Sequence, residues 1–249
     1  MLRRARPAGA GQPRPQPLPR RLILFLFVLS GVSGLVYQVI WARQLTLVFG
    51  ATSPAITTVL ASFMLGLALG SYGAGRWAGR WGNPLRAYAV IELGIGAYAV
   101  AFPFLLDALA LVHIPLFRLL VDAPLALGGA RVVLVVGLLL APTALMGASL
   151  PVLARALIQE PTSMGREAGL LYGLNTLGAA AGVYLATFFL IPGVGLTGGW
   201  AVAAALNWIV GGIAWRCAAA WRGAAAAPPV PAAARPGAAW VLAAYGCSG

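Results

Sequence analysis

The chain has 249 residues, with 17 basic side chains against 5 acidic ones and a net charge of +12; every basic residue is an arginine. Hydrophobic residues make up 61% and charged residues 9%, where a soluble domain carries about 25% charged residues. Such a chain cannot cover a soluble surface with polar groups, and it is too apolar to be disordered.

Residues 1–21 carry six arginines, no acid and many prolines, and predict a disordered basic tail. LILFLFVLSG after the Arg-rich start resembles a signal peptide, but the apolar run continues to Trp41, which favours a retained first helix. A membrane-spanning helix needs about 20 mostly apolar residues. Six runs qualify: Leu22–Ala42, Pro54–Ala74, Leu85–Leu106, Ala130–Leu153, Leu170–Ile191 and Thr197–Trp215. They predict a six-helix membrane domain over 22–216. Segment 217–237, rich in Ala and Pro, is too proline-broken to span and predicts a cytoplasmic linker. The apolar run from Ala238 to Gly249 is too short to cross and predicts the truncated start of a second membrane repeat. LSGVSG at 29–34 matches AYGCSG at 244–249 in two glycines and a serine, as a parallel repeat would.

Fourteen of the 17 arginines fall in the N-terminal tail, the second and fourth interhelical loops and the segment after the sixth run; only Arg43, Arg118 and Arg131 fall on the other side. The positive-inside rule then predicts a cytoplasmic N-terminus. Topology accounts for the charge, so no nucleic-acid partner is needed; the partner implied is the lipid bilayer. Cys217, Cys247 and a single histidine, His113, cannot build a metal site.

In the second run Gly66, Gly70 and Ala74 share a helix face and predict close approach to another helix. The loop that follows, with Gly70, Gly75, Arg76, Gly79 and Arg80, resembles the loop between helices two and three of the major facilitator superfamily, without its usual acid. Tyr37 and Trp41 are i, i+4 neighbours expected at the interface, beside Gln38 and the outer-end charge Arg43. Glu92 is the one carboxylate well inside a run, a costly placement that points to a functional site or to pairing with Arg80 or Arg86. Asn175 and Thr176 are the next intramembrane polar pair. Segment 107–124, with His113, predicts an interfacial amphipathic helix. Pro142, Gly147 and Pro151 predict a kink or break in helix four. GVGLTG at 193–198 fits a nucleotide fingerprint only literally; between two apolar runs it predicts a tight turn.

SGVSGLVYQVIWARQLTLVFG, VLASFMLGLALGSYGAGRWAGR, AYAVIELGIGAYA, LMGASLPVLARAL and LYGLNTLGAAAGVYLATFFLIPGVGL, in this order, together resemble the membrane domain of the bacterial fused facilitator–spermidine-synthase proteins. The resemblance implies an all-α polytopic bundle, six spanning helices like one half of a facilitator fold plus a truncated seventh, in a bacterial inner membrane. It also implies a parent protein with a second membrane half and a cytoplasmic aminopropyltransferase-like domain that uses decarboxylated S-adenosylmethionine. This chain shows neither that domain nor any catalytic residue or cofactor site of it. Three functions compete: a membrane domain serving a polyamine-type synthase, half of a transporter for a small cationic or other small-molecule solute, and a structural anchor.

Overall fold

The structure, a computed structural model, describes residues 20–50, 53–77, 80–158 and 164–220. Among them there is no strand. The helices are α1 (Arg20–Phe49), α2 (Ser53–Trp77), α3 (Pro84–Leu120), α4 (Pro124–Leu157), α5 (Met164–Leu185) and α6 (Ile191–Ala220), with a π-helical turn, Ala186–Leu190, joining the last two. Five segments are long and apolar enough to cross a membrane, the last being Met164–Ala219 taken whole.

That last segment doubles back on itself. Along α5, Glu167 meets Arg20, Asn175 meets the Phe27 carbonyl, and Gly178 and Gly182 meet Val28 and Val32, so α5 runs parallel to α1. Along α6, Gly199 meets Ile40 of α1, while Trp208 and Gly211 meet Gly96 and Leu93 of α3 and Ala218 meets Asn83, the residue that caps α3. α6 is therefore antiparallel to α1 and α3. The reversal falls at Gly195, whose φ of 72° and ψ of −177° suit glycine alone. This is the turn expected from GVGLTG.

Glycines set how closely the helices pack. A Cβ on Gly66 would strike Thr143, one on Gly70 the Ala144 backbone, and one on Gly147 the Leu67 backbone. The α2–α4 crossing is thus backbone against backbone, as the Gly66, Gly70, Ala74 face implies. Gly31, Gly178 and Gly182 do the same for α1 and α5. At its start α3 is tied to the end of α6: the Asn83 side chain accepts the Arg86 N–H at 3.1 Å and donates to the Ala218 carbonyl at 2.9 Å. Side chains such as Met64, Leu69, Phe104, Leu177 and Phe188 face outward. In water they would form a large apolar patch; acyl chains suit them.

Three expectations are corrected. First, α4 runs unbroken through Pro142 and Pro151. Pro142 lacks the N–H that would bond the Leu138 carbonyl four residues back; the Tyr98 hydroxyl of α3 donates to that carbonyl instead, at 2.5 Å. Gly147 is a packing contact with α2. Second, 107–120 is no separate interfacial helix: α3 continues to Leu120 through Pro103 and Pro115. At ~1.5 Å per residue α3 and α4 each exceed about 50 Å, well beyond a ~30 Å hydrocarbon core. Third, α6 continues past Trp215 to Ala220, into the first residues assigned to a linker. The remainder of that linker, the 238–249 run with AYGCSG, the tail 1–19 and Gly79 lie outside the described residues.

Gly70→Leu should lower the thermal unfolding midpoint of the detergent-purified protein, because overpacking costs about 1–3 kcal/mol. Gly73→Leu, on the same helix with open space beside it, should leave the midpoint within error when both are followed by circular dichroism.

Candidate functional site

Glu92 stands at the meeting point of three helices and is fully buried. Its Oε1 accepts from Ser30 Oγ of α1 at 2.5 Å, and its Oε2 accepts from Asn207 Nδ2 of α6 at 2.5 Å. The Tyr88 hydroxyl, one turn earlier on α3, also contacts the carboxyl and donates to the Leu26 carbonyl at 3.4 Å. Ser30 lies ten residues after Arg20, Glu92 eight after Pro84 and Asn207 nine before Arg216. At ~1.5 Å per residue these place the cluster roughly 12–15 Å from the arginine-rich helix ends, about half the thickness of a hydrocarbon core.

The expected pairing of Glu92 with Arg80 or Arg86 does not form. Both ion pairs among the described residues engage Glu167 instead, with Arg20 at 2.6 Å and Arg166 at 3.2 Å. Glu92 is held by neutral donors only.

Beside this cluster lies a cavity of about 100 Å³, reached by side chains of every helix. Ser30, Ser33, Gln38, Ser149, Asn175 and Asn207 supply its polar wall, and Phe27, Phe63 and Met146 part of its apolar wall. The hydroxyl hydrogens are spent on the protein: Ser33 donates to the Ser30 carbonyl and Ser149 to the Leu145 carbonyl, as Ser30 does to Glu92. Of the three amides, Asn175 Nδ2 donates to the Phe27 carbonyl at 3.2 Å and Asn207 Nδ2 to Glu92. Asn207 Oδ1 is buried and has no partner among the described residues. The wall therefore mixes hydroxyl and amide oxygens with amide N–H groups, and the Glu92 carboxyl lies directly behind Ser30 and Asn207.

Of the residues singled out in the sequence, Glu92, Asn175 and Gln38 converge here. Thr176 does not: it is exposed and donates back to the Tyr172 carbonyl at 2.8 Å. Tyr37 and Trp41 are not at the interface either. Both are wholly buried and stacked at 4.8 Å, and Trp41 stacks in turn on Phe102 at 4.5 Å. Arg43 lies exposed at the opposite end of the bundle from Arg20. Gly75, Arg76 and Arg80 are exposed at the Arg20 end, away from the cavity. Pro142 and Gly147 are buried in α4 and Pro151 is partly buried; none of the three is among the cavity-lining residues. His113 accepts from Arg131 Nε at 3.2 Å and meets Phe49 edge-on at 4.7 Å, a packing role in the α3–α4 extension.

Sequence reasoning missed Asn207, Ser30, Tyr88 and Ser149. Asn207 carried a usable signal, as a lone amide within the apolar run AVAAALNWIVGGIAW. No group of three or more potential metal ligands occurs among the described residues. Comparison with protein-family profiles, curated proteins and solved structures gives no match to this chain.

Glu92→Leu leaves Ser30 Oγ and Asn207 Nδ2 unpaired in the core, at about 1–3 kcal/mol per orphaned group. It should lower the unfolding midpoint clearly more than Glu92→Gln, which keeps the side-chain shape and one acceptor oxygen. Parallel thermal melts of the two variants check this order.

Proposed function

We propose that the chain is a six-crossing membrane domain, N-terminus cytoplasmic, that holds a small cationic solute in its central cavity. The observation that carries this is the buried Glu92 carboxyl, which has no cationic partner among the described residues and lies directly behind the polar wall of the cavity. A carboxyl group in that place favours a compact donor-rich cation, a protonated amine above all, over an anion. For tying three helices together a neutral amide would serve, whereas a carboxyl at that depth costs several kcal/mol.

The six crossings rest on the reversal at Gly195, which makes two antiparallel passes of the segment Met164–Ala219. The orientation rests on the arginines: Arg20, Arg21, Arg76, Arg80, Arg86, Arg155, Arg166 and Arg216 gather at one end of the bundle, and Arg43, Arg118 and Arg131 at the other. The resemblance to the bacterial facilitator–spermidine-synthase proteins supports an inner-membrane location and a role beside a polyamine-type synthase. A facilitator-type transporter half is the second reading, favoured by the placement of the cavity near mid-depth between helices of both directions.

Binding of a radiolabelled primary diamine to the purified full chain tests the solute reading. Glu92→Gln should weaken it on the order of tenfold, the worth of one charge-assisted contact. Unchanged affinity in this variant, or equal binding of a dicarboxylate, would overturn the reading and leave the anchor. The orientation is checked separately in a cysteine-free background: single cysteines at Ala10 and Ala225 should resist an impermeant thiol reagent until the cells are opened.

A further inference from the structure

A second concave feature lies at the Arg20 end of the bundle, where α3 begins against the end of α6. It is an open groove of about 700 Å³. Arg80, Trp81 and Asn83 line it ahead of α3, Arg86 in the first turn of α3, and Val90 and Ile91 about a turn further along. The arginines are exposed. Neither has a carboxylate partner among the described residues, since both ion pairs there belong to Glu167. The Arg86 guanidinium is steadied over the Trp215 ring of α6 at 5.1 Å, which fixes its position without neutralising its charge.

The order of groups along the groove is that of a phospholipid. Two guanidiniums without a carboxylate partner among the described residues stand at the helix ends, indoles flank them where Trp favours the interface, and one to two turns further along α3 the wall is aliphatic. We infer that the groove along residues 80–91, at the start of α3, binds one anionic phospholipid, its phosphate on Arg80 and Arg86 and an acyl chain along Ala87, Val90 and Ile91. A soluble phosphate could use the arginines but leaves the aliphatic wall unused. A zwitterionic lipid could use the wall but brings no net charge to match the arginines. This site shares no residue with the central cavity, so it stands or falls apart from the solute reading.

Native mass spectrometry of the purified full chain, titrated with phosphatidylglycerol or phosphatidylcholine, reads the site. Phosphatidylglycerol should bind preferentially, and Arg80→Gln with Arg86→Gln should weaken it about fivefold per arginine and about 30-fold together. Arg43→Gln with Arg118→Gln removes the same charge at the other end and should leave the affinity unchanged. An equal loss in that control, or no loss in the first variant, overturns the site. So does displacement of the lipid by glycerol phosphate at matching concentration, which would make the groove a free-anion site. If the first variant loses its helical content, photo-crosslinking a phosphatidylglycerol analogue to the unmodified chain decides instead. Label within residues 80–91 supports the site; label confined elsewhere overturns it.

Discussion

A membrane interior offers no water to a polar group, so each donor and acceptor at that depth must find its partner inside the protein. Much of this structure follows from that constraint. Thr57, Thr58, Ser62 and Thr176 return their hydroxyls to carbonyls one turn back on their own helices. Where Pro142 withholds a backbone N–H, the orphaned Leu138 carbonyl is met by Tyr98 from the neighbouring helix. The break that proline threatens is thereby avoided, and a local defect becomes a link between α3 and α4. Glu92 is the largest such obligation. It is met by drawing Ser30 and Asn207 from two other helices, so one carboxyl fixes the relative heights of α1, α3 and α6.

Close packing has to do the rest, because lipid tails are as apolar as the side chains and give helices little drive to associate. Glycine contacts supply it for two pairs, α1 with α5 and α2 with α4. α1 and α5 run parallel and follow each other from Arg20–Glu167 through to Val32–Gly182. α3 joins the two groups, packing against both α4 and α6. The Glu92 cluster sits on this connecting helix, which is why side chains from all six helices reach the cavity beside it.

What could be read from the sequence followed from local rules. Gly66 and Gly70 announce their contact because spacing on one helix face is a local property. GVGLTG announces its turn because a positive φ at Gly195 needs a glycine whatever surrounds it. Glu92 announces itself by depth alone. The misses are residues whose meaning depends on a distant partner. Asn175 and Thr176 are adjacent in sequence, yet only helix rotation decides that one faces the cavity and the other the outside. Tyr37 and Trp41 satisfy the interfacial preference as well as they satisfy a core stack, and only Phe102 of α3 selects the core. Pro142 reads as a break until Tyr98 is known to stand across from it.

Aromatic side chains stand between the cavity and each end of the bundle. Toward Arg43 it is bounded by Phe63, which packs on Trp41; Trp41 in turn is sandwiched between Tyr37 and Phe102. Toward Arg20 it is bounded by Phe27, which meets Tyr88 edge-on at 6.4 Å. The two layers are unequal. The Trp41 layer buries Tyr37 Oη and Trp41 Nε1 with no partner among the described residues, whereas Tyr88 has both the Leu26 carbonyl and Glu92 within reach. Unmet polar atoms are a standing cost that water or a solute entering that layer would relieve. Of the two aromatic layers, the one nearer Arg43 therefore carries more unmet polar atoms, and the one nearer Arg20 is tied into the Glu92 cluster.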